Sequence, residues 1–181
     1  MRKLLLPVLA VVAFVLFQSM TIVPEGGRGI MLRFNKVHRD AEQKVMIYTP
    51  GLHFKVPFMD SLKVLDARIQ TLDGKEDRFV TVEKKDLLVD SYVKWRISDF
   101  GQFYTSTGGD YQKASDLLRR KVNDRLRSEI GSRTIKDIVS GSRGELMAGA
   151  QKALNYGDDG AEKLGIKVVD VRVKQINLPN E

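Results

Sequence analysis

The side chains that most often bind metals or act as nucleophiles are sparse and poorly spaced in this sequence. The chain has no cysteine, which excludes disulfides, thiolate metal ligands and thiol catalysis. Its two histidines, His38 and His53, stand in no H-E-x-x-H pattern or comparable metal-ligand spacing. We therefore predict no metal site and no cofactor, and we interpret both histidines as ordinary surface or hydrogen-bonded residues.

Two serines near glycines are the remaining candidates for a nucleophile. Ser132 follows Gly131, and Ser142 lies between Gly141 and Gly144. Neither serine has the G-x-S-x-G spacing that places a hydrolase nucleophile on a strained turn, and both fit helix boundaries better. The pattern predicts no catalytic residue. A membrane-bound hydrolase stays a minor alternative, because a serine–lysine pair assembled in space is invisible in sequence.

A basic run is the best candidate for contact with a charged partner. The chain carries a net charge of +7, and four of its cations, Arg119, Arg120, Lys121 and Arg125, flank a predicted apolar helix stripe. No aromatic residues interleave with them, as they do in proteins that bind single-stranded nucleic acid. We predict contact with an acidic partner or anionic lipid headgroups, and no nucleic acid. A solvated helix face is the plainer alternative.

The first predicted secondary-structure element is an apolar segment at the start of the chain. No charged residue occurs from residue 4 to residue 23, and a helix of that length rises about 30 Å, the thickness of a bilayer's hydrocarbon core. The apolar core is longer than that of a secretory signal, and no clear A-x-A cleavage site follows it. We predict an uncleaved transmembrane anchor with a short cytoplasmic tail over residues 1–24. Its large apolar side chains are Leu4, Leu5, Leu6, Val8, Val11, Val12, Phe14, Val15, Leu16, Phe17 and Ile22.

The sequence from residue 25 to residue 98 alternates with a period of two, which predicts half-buried strands. The clearest run covers residues 86–97, where only Ser91 interrupts an apolar face. That face comprises Leu87, Val89, Val93, Trp95 and Ile97. Shorter runs comprise Ile30, Leu32 and Phe34, then Leu52, Phe54 and Val56, and then Leu65, Ala67 and Ile69. We expect one face of each strand to pack on a core.

The apolar run that ends at residue 59 has two interpretations. Core burial accounts for most of it. Pro57, Phe58 and Met59, however, lie at the predicted turn, where they are available to enter the membrane interface. Composition favours neither interpretation for these three residues.

From residue 99 to residue 181 the apolar period becomes helical. We predict helices over 99–105 and 134–139, and a longer helix that is capped by Asp110 at its start and has Gly131 as the C′ residue just past its end. The stripe of the longer helix comprises Ala114, Leu117, Leu118, Val122, Leu126 and Ile130.

Two further elements complete the predicted fold. Residues 142–145 form a capping box that opens another helix. Residues 166–176 predict a final strand with Val169, Val171 and Val173 on one face. Strands, then helices, then one strand predict an α+β fold, with helices packed on a mainly antiparallel sheet.

Several motifs, in their order, resemble the SPFH family, also called the band-7, prohibitin-homology or stomatin-like family. Residues 23–37 are similar to the signature that follows the anchor in that family, and residues 50–58, 65–68 and 86–90 follow in the expected order. The resemblance implies an SPFH domain with a strand-rich half over residues 25–98. Its second half, over residues 99–181, would hold the helices and the final strand. The family's C-terminal coiled coil is absent from this chain, because no sustained heptad pattern occurs in it.

Finer motifs resemble one branch of the family. They are residues 77–81, 92–97, 125–131, 136–139 and 165–179. That branch implies a non-enzymatic scaffold that forms a hetero-oligomer with an HflK-like subunit and controls substrate access to an FtsH-type membrane protease. It also implies a single-pass protein of the bacterial inner membrane, with a cytoplasmic N-terminus and a periplasmic domain. Charge balance alone leaves that orientation open. The alternative is a stomatin-like organiser of lipids or channels without a protease partner.

Overall fold

The structure is a computed structural model that describes residues 2–140, 143–157 and 160–178. Its contacts divide the chain into two compact units, Met1–Arg68 and Ile69–Glu181. This division lies within the strand-rich stretch 25–98. Every strand pairing among these described residues is antiparallel, so the predicted α+β fold with an antiparallel sheet is confirmed.

In its described part, residues 2–68, the first unit contains one helix and six strands. In chain order they are α1 (Arg2–Ser19), β1 (Met20–Val23), β2 (Gly27–Arg33), β3 (Lys36–Val37), β4 (Ile47–Tyr48), β5 (Gly51–Phe54) and β6 (Asp60–Asp66). Strand β2 pairs with β3, β4 and β6 in one sheet. Strands β1 and β5 form a separate two-stranded ribbon.

A glycine allows this unit to pack closely. A Cβ atom at Gly29 would lie only 2.7 Å from Cδ1 of Leu62 and 3.0 Å from Cγ2 of Val23. A side chain there would force these neighbours apart. Glycine therefore lets Val23 approach β2, where it is buried with Ile30 and Leu65.

The prediction of one apolar helix through residue 23 was wrong at its C-terminal end. Helix α1 ends at Ser19, and the next four residues pair with β5. Thr21, Ile22 and Val23 are β-branched, and such residues suit a strand better than a helix. Ile22, predicted within the membrane span, is thus a strand residue. Among the residues that the structure describes, no helix combines the length and hydropathy needed to cross a membrane.

The second unit packs helices on a four-stranded sheet. Its elements are β7 (Gln70–Asp73), β8 (Asp77–Val80), β9 (Asp86–Ile97), α2 (Phe100–Thr107), α3 (Tyr111–Gly131), α4 (Ile135–Ser140), α5 (Arg143–Asn155), a 3₁₀ turn (Ala161–Leu164) and β10 (Ile166–Asn177). Strand β9 lies in the centre, with β10 on one side and both β7 and β8 on the other.

The two strongest periodic patterns of this unit are confirmed. All five apolar residues of the predicted β9 face are buried, and so is Ser91. The stripe of α3 is also buried, except Leu117, which is half-buried. Asp110 caps α3 as predicted, because its side chain accepts hydrogen bonds from the backbone N–H groups of Gln112 and Lys113.

Two details of this unit differ from the prediction. Gly131 is the last residue of α3, and Ser132 is the C-cap. The face predicted for the final strand was also wrong in its first part, because the pairing with β9 shifts register between Val168 and Asp170. An extra residue in one strand turns the following side chains over. Ile166 and Val168 are therefore buried before the shift and Val171 is buried after it, whereas Val169 is only half-buried. Ser142, the first residue of the predicted capping box, lies outside the described residues.

Candidate functional site

The ribbon formed by β1 and β5 presents an apolar face away from the core of its unit. Met20 pairs with Phe54 and Ile22 pairs with Leu52, so these four side chains share one face. All four are exposed, with Ile22 at 71% and Phe54 at 69%. Val23 lies on the opposite face and is buried. We call the exposed set, with the loop described next, the apolar surface.

A tight loop after β5 extends the apolar surface. Val56, Phe58 and Met59 are exposed, and Pro57 is half-buried. Phe58 is 94% exposed and has a φ of 67°. Phenylalanine rarely adopts this left-handed conformation, which costs of order 1–3 kcal/mol. The loop therefore holds a large aromatic ring in solvent at an energetic cost.

A clamp beneath this loop fixes its shape. Nε of Arg33 donates to Oδ1 of Asp60 at 2.8 Å, and its Nη2 donates to Oδ2 at 3.1 Å. The same Oδ2 accepts the backbone N–H of Val56 at 3.0 Å, and the N–H of Asp60 donates to the carbonyl of Val56. The Asp60 side chain is only 5% exposed. The carboxylate therefore ties both ends of the loop to the sheet.

The ionisation of the clamp reflects these bonds. Hydrogen bonding from Arg33 is the largest cause that lowers the pKa of Asp60, and the bond from the Val56 N–H adds to it against the opposing effect of burial. The same pairing raises the pKa of Arg33. Both groups are thus charged at neutral pH, and the loop is held by a two-pronged, charge-assisted contact.

Helix α1 joins the apolar surface directly. The N–H of Lys55 donates to the carbonyl of Ser19 at 2.8 Å, and the Ser19 hydroxyl donates to the carbonyl of Lys55 at 2.6 Å. These two bonds hold the end of the helix against the end of β5. The large apolar side chains of α1 are exposed along its length. The helix, the ribbon and the loop thus form one continuous stretch of unburied apolar residues.

These positions correct part of the sequence-based prediction. Leu52, Phe54 and Val56 were expected in a core, and that was wrong because all three are exposed. The exposure of Phe58 and Met59 agrees with the other interpretation, and their contact with a membrane stays a prediction. No sequence pattern marks the clamp, because Arg33 and Asp60 are 27 residues apart.

The predicted basic run does not form a single face of α3. Lys121 and Arg125 lie one turn apart and line a groove of about 200 Å³ between α3 and α5. Helical geometry turns each residue about 100° from the last, so Arg119 and Arg120 point elsewhere. Arg120 is exposed. Nε of Arg119 is buried without a hydrogen-bond partner in the described part of the chain. Any role of these four residues in partner contact stays a prediction.

The histidine and serine candidates have ordinary structural surroundings. Nε2 of His53 lies 2.6 Å from the carbonyl oxygen of Thr49, and its ring packs edge-on against Tyr48. The Ser132 hydroxyl donates to the carbonyl of Glu129. Ser142 lies outside the described residues. Within the residues that are described, no three His, Cys, Asp or Glu side chains come together as a metal site.

Comparison with known proteins identifies the family. The family model described as "SPFH domain / Band 7 family" matches residues 21–181. The chain therefore belongs to the SPFH/Band 7 family, as its motifs predict.

Within the family, the chain is similar to proteins named HflC, which is the branch that the finer motifs indicate. It is 74% identical over 182 residues to "Protein HflC" of Haemophilus influenzae and covers 62% of that protein. It is 49% identical over 218 residues to "Modulator of FtsH protease HflC" of Escherichia coli K12 and covers 65% of it. The full chain is aligned in both cases. It therefore spans a little under two thirds of the length of these relatives.

Proposed function

We propose that this chain is a scaffold subunit of a bacterial inner-membrane complex that modulates an FtsH-type protease. The observation that carries the proposal is the 49% identity to a protein named a modulator of that protease. We propose an HflK-like protein as the other subunit of a hetero-oligomer. The role is non-enzymatic: subunits surround the protease and sterically control which substrates reach it.

The proposal includes a membrane anchor. Helix α1 has 18 residues and is about 27 Å long. Its exposed apolar side chains are those expected of a helix surrounded by lipid. The N-terminus would be cytoplasmic and the SPFH domain periplasmic, so that the domain emerges directly at the outer surface of the inner membrane.

The apolar surface supports a second contact with the bilayer. A contiguous exposed apolar patch is uncommon in a protein that is surrounded only by water. Fully burying one large apolar side chain contributes about 1.5–3 kcal/mol. Phe58, Met59 and Pro57 in the loop, together with Ile22 and the rest of the ribbon face, would enter the membrane interface and hold the first unit against it.

Co-purification tests the protein assignment. The tagged chain would be extracted from native membranes in mild detergent, and co-purifying proteins identified by mass spectrometry. We expect an HflK-like subunit and an FtsH-type protease in stoichiometric amounts. A tagged, unrelated single-pass protein is the control for detergent carry-over. Isolation of the chain without either partner would contradict the proposal.

Lipid quenching tests the membrane contact. The chain has no cysteine, so Phe58→Cys and Val82→Cys each provide one labelling site. Both native residues are exposed and apolar, but only Phe58 belongs to the apolar surface. In liposomes containing brominated lipid, a fluorophore at residue 58 should be quenched and one at residue 82 should not. Equal quenching at both sites would contradict the contact.

A reporter fused after the last residue tests the orientation. A phosphatase that is active only in the periplasm should be active in this fusion. The matched control is the same reporter fused to a chain in which Leu9→Arg and Val12→Arg interrupt α1. Charges at the centre of a membrane helix each cost about 2.5–3.5 kcal/mol on insertion scales. An inactive reporter on the intact chain would contradict the proposed orientation. Equal activity in the two fusions would contradict the proposed anchor.

A further inference from the structure

Strand β10 is an open edge of the second unit's sheet. It runs for 12 residues, and β9 is the only strand that pairs with it in the part of the chain that the structure describes. In an antiparallel pair, alternate residues direct both backbone groups away from the partner strand. The outer side of β10 therefore carries a row of N–H and C=O groups. Such edges readily pair with another extended segment.

Side chains of α5 cover the first part of this edge. The Asn155 amide accepts the N–H of Val168 at 2.8 Å and donates to its carbonyl at 2.9 Å. Nε2 of Gln151 donates to the carbonyl of Val169 at 2.7 Å. These contacts replace the bonds that a neighbouring strand would make.

Beyond Val169 the edge of β10 is no longer covered by α5 side chains, and a groove begins there. From Asp170 to Val173 the edge borders a groove of about 410 Å³ whose other wall is α5. The α5 residues of the wall are Gly144, Met147, Ala148 and Gln151. This stretch of strand is about 10 Å long at a normal rise per residue. A groove between a strand edge and a helix has the shape to accept one more extended chain.

The charges around the groove indicate which kind of segment would bind there. The cations of β10 differ in what they contact: Arg172 pairs with Asp170 at 2.8 Å, and Lys174 pairs with Asp73 and Asp90 from neighbouring strands. Lys167 lines an adjoining groove of about 310 Å³ together with Arg96 and Gln151. An acidic strand would meet complementary charge.

The geometry points to β10 and α5 as a docking groove for an extended, acidic segment of a partner protein, which adds to the sheet as a strand. The bound segment alternates acidic side chains, which meet Lys167 and Arg96, with apolar side chains, which pack on Met147 and Ala148. Its backbone pairs with the outward groups of residues 170–173. This site does not depend on the proposed role in protease control.

Peptide binding to the full chain in detergent micelles tests the groove. The probe is a short, end-blocked fluorescent peptide in which valine and glutamate alternate, and fluorescence anisotropy measures its affinity. A second peptide has the same side chains but an N-methyl group on every backbone amide, so it carries the same charge and has no amide N–H on either edge with which to pair as a strand. We expect the N-methylated peptide to bind at least about tenfold more weakly.

Two matched variants locate the site. Ala148→Trp fills the groove, whereas Gly149→Trp adds the same side chain at the next, exposed position of α5, with open space around it. Ala148→Trp should weaken the unmethylated peptide about tenfold or more, and Gly149→Trp should leave its affinity within about twofold. Circular dichroism of both variants checks that the fold is retained.

Three outcomes would overturn the assignment. Equal affinity for the two peptides would mean general electrostatic attraction to a basic chain. Equal weakening by the two tryptophan variants, or by neither, would place binding outside the groove. Loss of self-association in Ala148→Trp, without loss of peptide affinity, would make the groove an interface between copies of the chain.

Discussion

The two units of this chain treat their largest apolar side chains in opposite ways. In the first unit, Phe54 and Phe58 are 69% and 94% exposed. In the second unit, Trp95 is 1% exposed and Phe103 is fully buried. Alternation of apolar and polar residues therefore predicts that a strand has two different faces. It does not predict whether the apolar face is buried in a protein core or exposed. In the first unit we propose that the medium is lipid.

The units also differ in what holds their surfaces in place. The second unit relies on apolar packing of α3 and β9, helped by caps such as Asp110. The first unit fixes its apolar loop by the polar clamp of Arg33 and Asp60. A loop whose ring faces outward cannot be held by packing of that ring, so hydrogen bonds to its backbone take over that task.

The largest expected effect is the difference in the free energy of unfolding between replacing a buried and replacing an exposed aromatic residue. Trp95→Ala should lower the free energy of unfolding by about 3–5 kcal/mol, because it removes a buried ring and leaves a cavity. Phe58→Ala should change it by less than about 0.5 kcal/mol, as surface substitutions do. Urea unfolding in micelles, followed by circular dichroism, measures both. Similar losses in the two variants would remove the contrast between the units.

The next effect concerns the clamp. Asp60→Asn should destabilise the first unit by about 1–3 kcal/mol, because it weakens a buried, charge-assisted contact. Hydrogen exchange of the loop amides, measured by mass spectrometry, should rise accordingly. Asp66→Asn is the matched control, since Asp66 makes a similar contact with Arg68 but is 32% exposed, and such pairs contribute about 0–1 kcal/mol. Faster exchange in the control alone would contradict the role of the clamp.

The stabilisation by Asp60 should also depend on pH. Its pKa is lowered from the ordinary value of 3.8, chiefly by the Arg33 hydrogen bond. A carboxyl with a lowered folded pKa stabilises the protein fully above that ordinary value, and the contribution is lost as pH falls through the folded pKa. The stability difference between the wild type and Asp60→Asn should therefore be constant near neutrality and shrink below pH 3.8. Urea unfolding at several pH values checks this, and a difference that grows on acidification would refute it.

The smallest effect concerns the start of α3. Asp110→Ala removes the acceptor for two backbone N–H groups and should cost about 1 kcal/mol. Asp110→Asn keeps an acceptor and should retain most of that stability. The same unfolding assay measures both variants. Because the cap belongs to the second unit, hydrogen exchange of the loop at residues 56–60 should not change.

Local, long patterns were readable from the sequence. The buried face of β9 and the stripe of α3 each repeat over several residues at one period, and both are confirmed. The N-cap at Asp110 was readable for the same reason, because its chemistry involves only neighbouring residues. The order of elements was sufficient for the α+β class.

Features that depend on distant residues or on single insertions were not readable. The strand preference of Thr21 and Ile22 was hidden because both residues continue a long apolar run, and only their pairing with β5 in the folded chain shows that they form a strand. The bulge after Val168 reversed the faces of β10 through one residue. The Arg33–Asp60 clamp and the groove beside β10 are products of tertiary structure, with no spacing that marks them.

The direct passage from α1 into β1 has a mechanical consequence. Ser19 is the last residue of the helix and Met20 is the first of the strand, and the hydrogen bonds to Lys55 brace this junction from the side. No slack linker can absorb rotation there. We therefore propose that helix and ribbon move together, so that a change in the tilt of the proposed anchor, as in a thinner bilayer, also moves the loop that carries Phe58.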